Sequence, residues 1–168
     1  MIELSTIRDL VTIFGVIAGF SYYVLTVRNT QRNQKQTLET RQAQLLMNIM
    51  NTFRSTEFRK QWHVLENLEW TDFNDFMEKY HKDVEVMTSW TSIMTFFEGV
   101  GVMVKNQLID ISLIYSLMAI SIQITWERYE TLIMGDRELF KQYSVAWDEF
   151  EYLYNEIMKY RKSIESTP

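Results

Sequence analysis

Two pairs of histidine and glutamate are the side chains whose types and spacing could bind a metal ion. His63 and Glu66, and separately Glu78 and His81, are three positions apart, which places each pair on one helix face. Carboxylate-bridged di-iron bundles use two Glu-x-x-His pairs and one further glutamate from each of two other helices. Here the first pair runs in the reversed order and the second lies in a polar run, so solvated surface histidines are the favoured interpretation. We therefore predict no metal and no cofactor.

Glu98 and Glu127 are the carboxylates that could complete such a metal site. Glu98 interrupts an otherwise apolar run, where a carboxylate is costly unless it is paired or hydrogen-bonded. We expect either an exposed position or a structural ion pair that fixes helix register, with a catalytic or ligand-binding carboxylate as the alternative. The candidate partners in an ion pair are Arg54, Arg59 and Arg128.

Recognisable catalytic motifs are absent from the sequence. The chain has no cysteine, which removes disulfides, thiolate nucleophiles and zinc–thiolate sites. It also has no glycine-rich phosphate loop, nucleophile elbow or zinc-protease helix. An enzyme is disfavoured without being excluded, and no catalytic residue is assigned.

A charge-free segment near the N-terminus predicts a membrane anchor. Residues 10–27 are eighteen consecutive uncharged positions, and a helix of that length covers roughly 27 Å, close to the hydrocarbon thickness of a bilayer. We predict a single transmembrane helix at 10–27 after a short extracytoplasmic tail at 1–9. A cleaved signal peptide or a buried core helix is the alternative, although the tail carries a net charge of −1 and signal peptides begin with a positive region.

The charges that follow this segment predict its orientation. Arg28, Arg32, Lys35 and Arg41 outnumber Glu39 in residues 28–41, which gives this basic juxtamembrane stalk a net charge of +3. Lys and Arg close to a span favour the cytoplasmic side. We therefore predict a single-pass cell-membrane protein with its N-terminus outside and its C-terminal domain in the cytoplasm. The stalk either continues the membrane helix or forms a flexible linker.

Gly15 and Gly19 offer a helix-packing face inside the predicted span. Their four-residue spacing places both on one side of a helix, where a second helix could approach closely. Glycine is also common in membrane helices, and this is the preferred interpretation. A homo-oligomer that forms through the two glycines is therefore a hypothesis.

The scarcity of glycine and proline predicts an all-α fold. After Gly19 the next glycine is Gly99, and the only proline is Pro168, a usage that a strand-and-turn protein of this size does not show. We predict a bundle of about five or six helices over residues 42–165. Helix starts are expected at Ser55 or Thr56, at Thr71 or Asp72 and at Asp83, with breaks near Asn106 and Asp110, a stop at Gly135–Asp136 and a last helical segment over 138–163.

The predicted bundle is acidic. Residues 42–168 carry a net charge of −7, because the whole chain carries −5 and its first 41 residues +2. Phosphate binding needs a basic surface, so we predict no nucleic-acid partner. The sixteen charge-free residues from Ile111 to Trp126 fall short of the roughly 17 that a span needs, and we expect a buried core helix there.

Five short stretches beyond the stalk resemble a known family. They are residues 55–59, 97–101, 108–110, 126–127 and 150–153. The chain resembles a prokaryotic family of small membrane-anchored, all-helical proteins classed as a domain of unknown function. The resemblance implies an N-terminal membrane helix followed by a helical cytoplasmic domain, with Glu98 and Trp126 in a shared structural core. It supplies no catalytic residues.

Two functions are compatible with these patterns. The first is a noncatalytic interaction or scaffolding module at the inner face of the lipid bilayer, which binds an unknown protein partner or a second copy of itself. The second is a membrane-tethered enzyme or a carboxylate/His metal-binding bundle. The missing motifs favour the first.

Overall fold

Six helices and no strand make up the part of the chain that the computed structural model describes, residues 4–139 and 146–166, with side chains described from residue 14. The helices are α1 (Leu4–Arg54), α2 (Thr56–Glu66), α3 (Phe73–Tyr80), α4 (Val84–Lys105), α5 (Ile111–Leu139) and α6 (Asp148–Glu165). The all-α prediction is confirmed. The chain divides into two units, Met1–Gln44 and Leu45–Pro168.

The first unit consists of helix α1 up to Gln44. The helix runs without a break through the stalk, residues 28–41, where the sequence has no glycine or proline to end it. Threonine hydroxyls in and just before the stalk donate to the carbonyl four residues before them, so these polar groups are satisfied inside the helix; they belong to Thr26, Thr30, Thr37 and Thr40. The stalk is a helical continuation rather than a flexible linker.

Three helices of the second unit begin at side chains that the sequence predicted. Ser55 accepts a hydrogen bond from the backbone N–H of Phe58 at 3.1 Å and caps α2. Asp72 caps α3 in the same way, and Asp83 caps α4 by accepting from two N–H groups. Such side chains satisfy donors that the first turn of a helix leaves unpaired. These predictions are confirmed.

The predicted stop at Gly135–Asp136 is wrong. Helix α5 continues through both residues to Leu139. Gly135 serves packing instead, because a Cβ at this position would collide with the ring of Phe73 in α3. The last predicted segment, 138–163, is not one helix: it includes the end of α5 and most of α6, and residues 140–145 lie outside the described part of the chain.

Helix α4 forms the centre of the second unit. It packs against α6 and α2, while α5 packs against α6 and α3. Aromatic rings fill the centre: Phe97 stacks on Phe150 with ring centroids 4.9 Å apart, and Trp126 meets the same ring edge-on at 5.2 Å. Such ring pairs add to the stabilisation from burial of their area. Trp126 thus lies in the core, as the resemblance implied.

Candidate functional site

Glu98 of α4 caps the N-terminus of another helix, α6. Its Oε2 accepts a hydrogen bond from the backbone N–H of Phe150 at 2.8 Å. The residue at the N-cap position of α6, Trp147, makes no side-chain capping hydrogen bond. A carboxylate at a helix N-terminus binds unpaired donors and faces the positive end of the helix dipole. The backbone of α6 therefore occupies the position where an arginine was expected.

Opposing effects act on the pKa of Glu98. Partial burial raises the pKa above its usual range, and the backbone N–H groups of Phe150 and Glu149 lower it. The carboxylates of Glu149 and Asp148 raise it further. Burial dominates because the loss of hydration disfavours the charged form.

Gly101 and Lys105 continue the face of α4 that receives α6. A Cβ on Gly101 would collide with the backbone oxygen of Glu149, so only glycine permits this approach of the two helices. One turn further on, the ammonium of Lys105 pairs with the carboxylate of Glu149 at 2.7 Å. Glu98, Gly101 and Lys105 lie on one face at helical spacing, and together they fix where α6 begins.

Asp136 of α5 holds two tryptophans. Its Oδ2 accepts from the indole N–H of Trp90 in α4 at 3.2 Å and from that of Trp147 at 3.1 Å. Burial raises the pKa of Asp136, and the two indole donors oppose that rise. Trp147 has a φ of 65°, a left-handed conformation that is costly for a side-chain-bearing residue. The hydrogen bond that Trp147 donates to Asp136 holds the ring of this strained residue in place.

Arg137 makes further contacts to the start of α6. Its Nε donates to the carbonyl of Ala146 at 2.8 Å. Its two terminal nitrogens pair with Asp148 at 2.9 Å and with Glu151 at 2.7 Å. A guanidinium presents its donors in a fixed planar arrangement, so this set of partners orients the segment as well as attracting it.

These side chains form a site whose hydrogen bonds are used to dock a helix. We call it the α6 clamp, defined by Glu98, Gly101, Asp136 and Arg137. Sequence reasoning identified Glu98. It missed Asp136 and Arg137, because an Asp after a glycine is also typical of a helix stop. Of the two glycines near Glu98, Gly101 makes a close approach to α6, whereas Gly99 has no neighbour within 4 Å of an added Cβ.

The metal-ligand candidates do not come together. Within the described ranges, no group of three or more His, Asp or Glu side chains is placed to hold a metal ion. His63 lies 3.8 Å from Glu66, and His81 Nδ1 lies 2.5 Å from the carbonyl of Met77. Both histidines and Glu78 are exposed. Glu127 instead accepts from Gln123 at 2.8 Å and from the hydroxyl of Tyr154 at 3.4 Å.

Arg128 anchors the end of α2 and is not a partner of Glu98. It donates to the carbonyls of Glu66 and Leu68 at 3.0 and 3.2 Å. Its guanidinium lies 5.2 Å from the ring centre of Trp70, a distance at which a cation and an aromatic face attract. It lines an open cleft of about 590 Å³ together with Lys79, which donates to the carbonyl of Glu69 and to Asp75.

Most side chains of the N-terminal unit that the structure describes, from residue 14 onward, are exposed. The stalk residues Arg28, Arg32, Lys35 and Arg41 are exposed, and a Cβ on Gly15 or Gly19 would have no neighbour within 4 Å. Over the described residues, no helix combines the length and apolarity that crossing a membrane requires. The predicted span at 10–27 is thus not confirmed.

Helix α5 packs in the core, as predicted, but it is apolar on an exposed face as well. One face holds Ile114, Met118 and Ile122, all nearly or fully buried. The other exposes Leu113, Leu117, Ile120 and Ile124. The sixteen charge-free residues therefore reflect an exposed apolar surface as well as the core.

The fold and the site define a small helical protein in which a long N-terminal helix leads into a bundle stabilised by the α6 clamp. A family model described as Domain of unknown function (DUF4760) matches residues 9–157. The chain belongs to this family, which confirms the family part of the resemblance. No curated protein and no solved structure matches the chain.

Proposed function

We propose that the protein is a membrane-anchored, noncatalytic interaction module of prokaryotic origin. In this proposal residues 10–27 insert into lipid and the helical unit binds a protein partner on the cytoplasmic side. The observation that carries the anchor is the set of large apolar side chains on α1 that lie 37–74% exposed; they are Phe14, Val16, Ile17, Phe20, Tyr22, Tyr23, Leu25 and Val27. Exposed apolar surface of this extent indicates a membrane or protein contact.

The charges around the apolar segment support the orientation. The stalk side chains Arg28, Arg32, Lys35 and Arg41 are exposed on the helix that continues from the segment, where they would meet anionic headgroups of the cytoplasmic leaflet. The family match begins at residue 9, so the apolar segment belongs to the family's domain.

The placement of the carboxylates supports a noncatalytic role. Glu98 and Asp136, whose raised pKa values would suit acid–base chemistry, bind backbone and indole donors that hold α6 and Trp147. Each of these two carboxylates has a structural hydrogen-bond partner, and this structural role accounts for its burial without a catalytic function.

Membrane fractionation of the full chain tests the anchor. We expect the protein to stay in the pellet after extraction with alkaline carbonate. The variant Ile17→Arg, Phe20→Arg should be released, because a central Arg costs about 2.5–3.5 kcal/mol on insertion scales. Thr37→Arg in the stalk is the matched control and should remain in the pellet. Recovery of the wild type in the supernatant would overturn the anchor.

Fusion of a reporter to the C-terminus tests the orientation. A reporter active only in the cytoplasm should be active on the wild type. Its activity should fall when Arg28, Arg32, Lys35 and Arg41 are changed to Gln and three Lys are added to the tail, because the excess of positive charge then precedes the span. A wild-type reporter outside the cytoplasm would contradict the orientation.

Metal analysis tests the alternative function. Purified protein should contain no stoichiometric iron or manganese. Stoichiometric metal that is lost on His63→Ala or His81→Ala would overturn the noncatalytic proposal in favour of a metal-binding bundle.

A further inference from the structure

Arg128 is an exposed cation that no carboxylate of the described residues neutralises. Its Nη2 donates to the carbonyls of Glu66 and Leu68. The carboxylate of Glu66 instead meets side chains of its own helix, where it accepts from the indole of Trp62 at 2.8 Å and lies 3.8 Å from His63. The positions of α5 that could pair with Arg128 at helical spacing are uncharged; they are Ile124, Thr125, Thr131 and Leu132.

The guanidinium of Arg128 is held in one orientation. Its Nη2 is fixed by the two carbonyls at 3.0 and 3.2 Å, and its central carbon lies 5.2 Å from the ring centre of Trp70 and 5.7 Å from that of Tyr129. Its Nε and Nη1 donate to no carbonyl or carboxylate of the described residues. A guanidinium that is already fixed loses little freedom when it binds an oxyanion, and its donors suit that chemistry.

The open cleft beside this guanidinium has the size of a small-molecule site. Its volume is about 590 Å³, and ligand pockets typically measure roughly 300–1,000 Å³. We call it the Arg128 cleft; its lining residues are Leu68, Glu69, Trp70, Thr71, Lys79 and Arg128. The half-buried Leu68 and Trp70 supply apolar surface next to the cation. A fixed cation beside apolar surface suits a ligand that has an anionic end and an apolar body.

Lys79 brings a second cation to the Arg128 cleft, but carboxylates balance its charge. Its ammonium donates to Asp75 at 2.9 Å and to the carbonyl of Glu69 at 3.3 Å. Hydrogen bonds from Lys79 and from the backbone N–H of Thr71 lower the pKa of Asp75, which keeps this carboxylate charged at neutral pH. The carboxylate of Glu69 adds a second negative charge near Lys79. Together with Arg128, the two cations and two carboxylates sum to zero.

We propose that the Arg128 cleft binds a small organic acid, whose single carboxylate accepts from Arg128 and whose apolar body packs on Leu68 and Trp70. Charge favours a carboxylate over a phosphate monoester. The carboxylate adds one negative charge to a neutral cleft, whereas the phosphate adds about two, in a part of the chain, residues 42–168, that already carries −7. This site goes beyond the proposed interaction role and requires neither membrane insertion nor a protein partner.

Titration of the full chain with benzoate, in a non-ionic detergent, tests the site. Benzoate combines one carboxylate with a flat apolar ring. It should shift the indole N–H signal of Trp70 in a heteronuclear NMR spectrum, and the shift should saturate. The indole N–H of Trp147, which donates to Asp136 at 3.1 Å, is the internal control and should not move. Absence of a saturable shift at Trp70 would overturn the proposal, whatever the outcome of the membrane fractionation.

Two analogues of benzoate test the charge that the cleft selects. Benzamide has the same shape without the charge and should bind at least about 10-fold more weakly, because hydrogen bonds between charged groups contribute more than neutral ones. Phenyl phosphate should also bind more weakly than benzoate. Equal affinities for benzoate and benzamide would show apolar partition alone, and tighter binding of phenyl phosphate would assign the cleft to phosphate. Either result would overturn our inference.

Replacement of the cation tests the role of Arg128. We expect Arg128→Gln to weaken benzoate binding by about 10-fold or more. Arg59→Gln is the matched control, since Arg59 is an exposed arginine of α2 outside the cleft, and it should bind benzoate as the wild type does. Unchanged affinity in a folded Arg128→Gln protein would contradict the site.

Glu69→Gln tests the cleft without altering Arg128, which also holds the end of α2 and whose replacement could unfold the protein. The loss of this exposed carboxylate gives the cleft a net positive charge, so the affinity for benzoate should rise about two- to fivefold. Glu57→Gln, at an exposed position of α2 outside the cleft, should leave the affinity unchanged. An equal or lower affinity in Glu69→Gln would overturn the proposed position of the ligand.

Discussion

The carboxylate of Glu98 in α4 lies 2.8 Å from the backbone nitrogen of Phe150 in the first turn of α6. A helix cap normally comes from the residue before the helix, but here it comes from a position 52 residues earlier in the chain. One side chain therefore accepts a hydrogen bond from an unpaired backbone N–H at the start of α6 and joins two helices of the bundle.

Removal of this cap should destabilise the protein. We expect Glu98→Ala to lower the free energy of unfolding by about 1–2 kcal/mol, because a partly buried backbone donor loses its acceptor. Glu98→Gln keeps an acceptor oxygen and should lose less. Urea denaturation monitored by circular dichroism measures both, with exposed Glu78→Ala as the control. Equal stability of wild type and Glu98→Ala would show that the cap contributes nothing.

The raised pKa values of Glu98 and Asp136 predict a defined dependence of stability on pH. The folded state holds these protons more tightly than the unfolded chain, whose pKa values lie near 4.5 and 3.8. Their contribution is therefore complete below those values and is lost as pH rises through the raised ones. The stability of the wild type minus that of Glu98→Gln, Asp136→Asn should fall as pH rises from 3.8 upward through the raised pKa values.

Asp110 supplies a control of opposite sign for this pH experiment. Hydrogen bonds from Ser112 lower the pKa of Asp110, so its contribution is present above pH 3.8 and is lost as pH falls. The stability of the wild type minus that of Asp110→Asn should therefore rise with pH over the acidic range. A flat difference for the Glu98 and Asp136 variant would contradict the burial that raises their pKa values.

Two neighbouring glycines of α4 should respond in opposite directions to alanine. Gly101→Ala meets the backbone oxygen of Glu149 and should cost about 1–3 kcal/mol, because the helices must move apart. Gly99→Ala has open space and should gain about 0.5–1 kcal/mol from the better helix propensity of alanine. Thermal denaturation of the two variants makes the comparison. A common sign would refute the close approach of α4 and α6.

Loss of the Asp136 acceptor should destabilise the site and change tryptophan fluorescence. Asp136→Ala leaves the indole N–H groups of Trp90 and Trp147 without their partner, which should cost about 1–3 kcal/mol. Asp136→Asn retains an acceptor oxygen and should cost less. The emission of Asp136→Ala should shift to the red as Trp147 gains solvent contact, while Asp136→Asn should resemble the wild type. Identical emission and stability in all three proteins would contradict this role.

The sequence predicted the helices better than it predicted the contacts between them. Ser55, Asp72 and Asp83 were identifiable because capping is local and depends on residue type. The predicted stop at Gly135 was wrong because this glycine leaves room for the ring of Phe73 in another helix. No local pattern distinguishes a glycine that ends a helix from one that permits close packing.

The candidate site was predicted only in part for the same reason. Glu98 was conspicuous as a carboxylate in an apolar run, yet its partner is a backbone group, which every residue carries and no motif marks. The apolar surface of α5 was visible as a charge-free run, but periodicity alone did not show which of its sides would stay outside the core.

The capping of α6 by Glu98 from α4 also affects the order in which the chain folds. Helix α6 spans 18 residues, and in a protein most of the stability of a helix comes from packing of its apolar face against the rest of the fold. The N-cap residue of α6, Trp147, supplies no side-chain acceptor to the first turn. The side-chain acceptor for that turn is Glu98 of α4. We therefore expect α6 to become stable late in folding, after α4 is present to receive it, so that a newly made chain cannot complete its last helix independently of the rest.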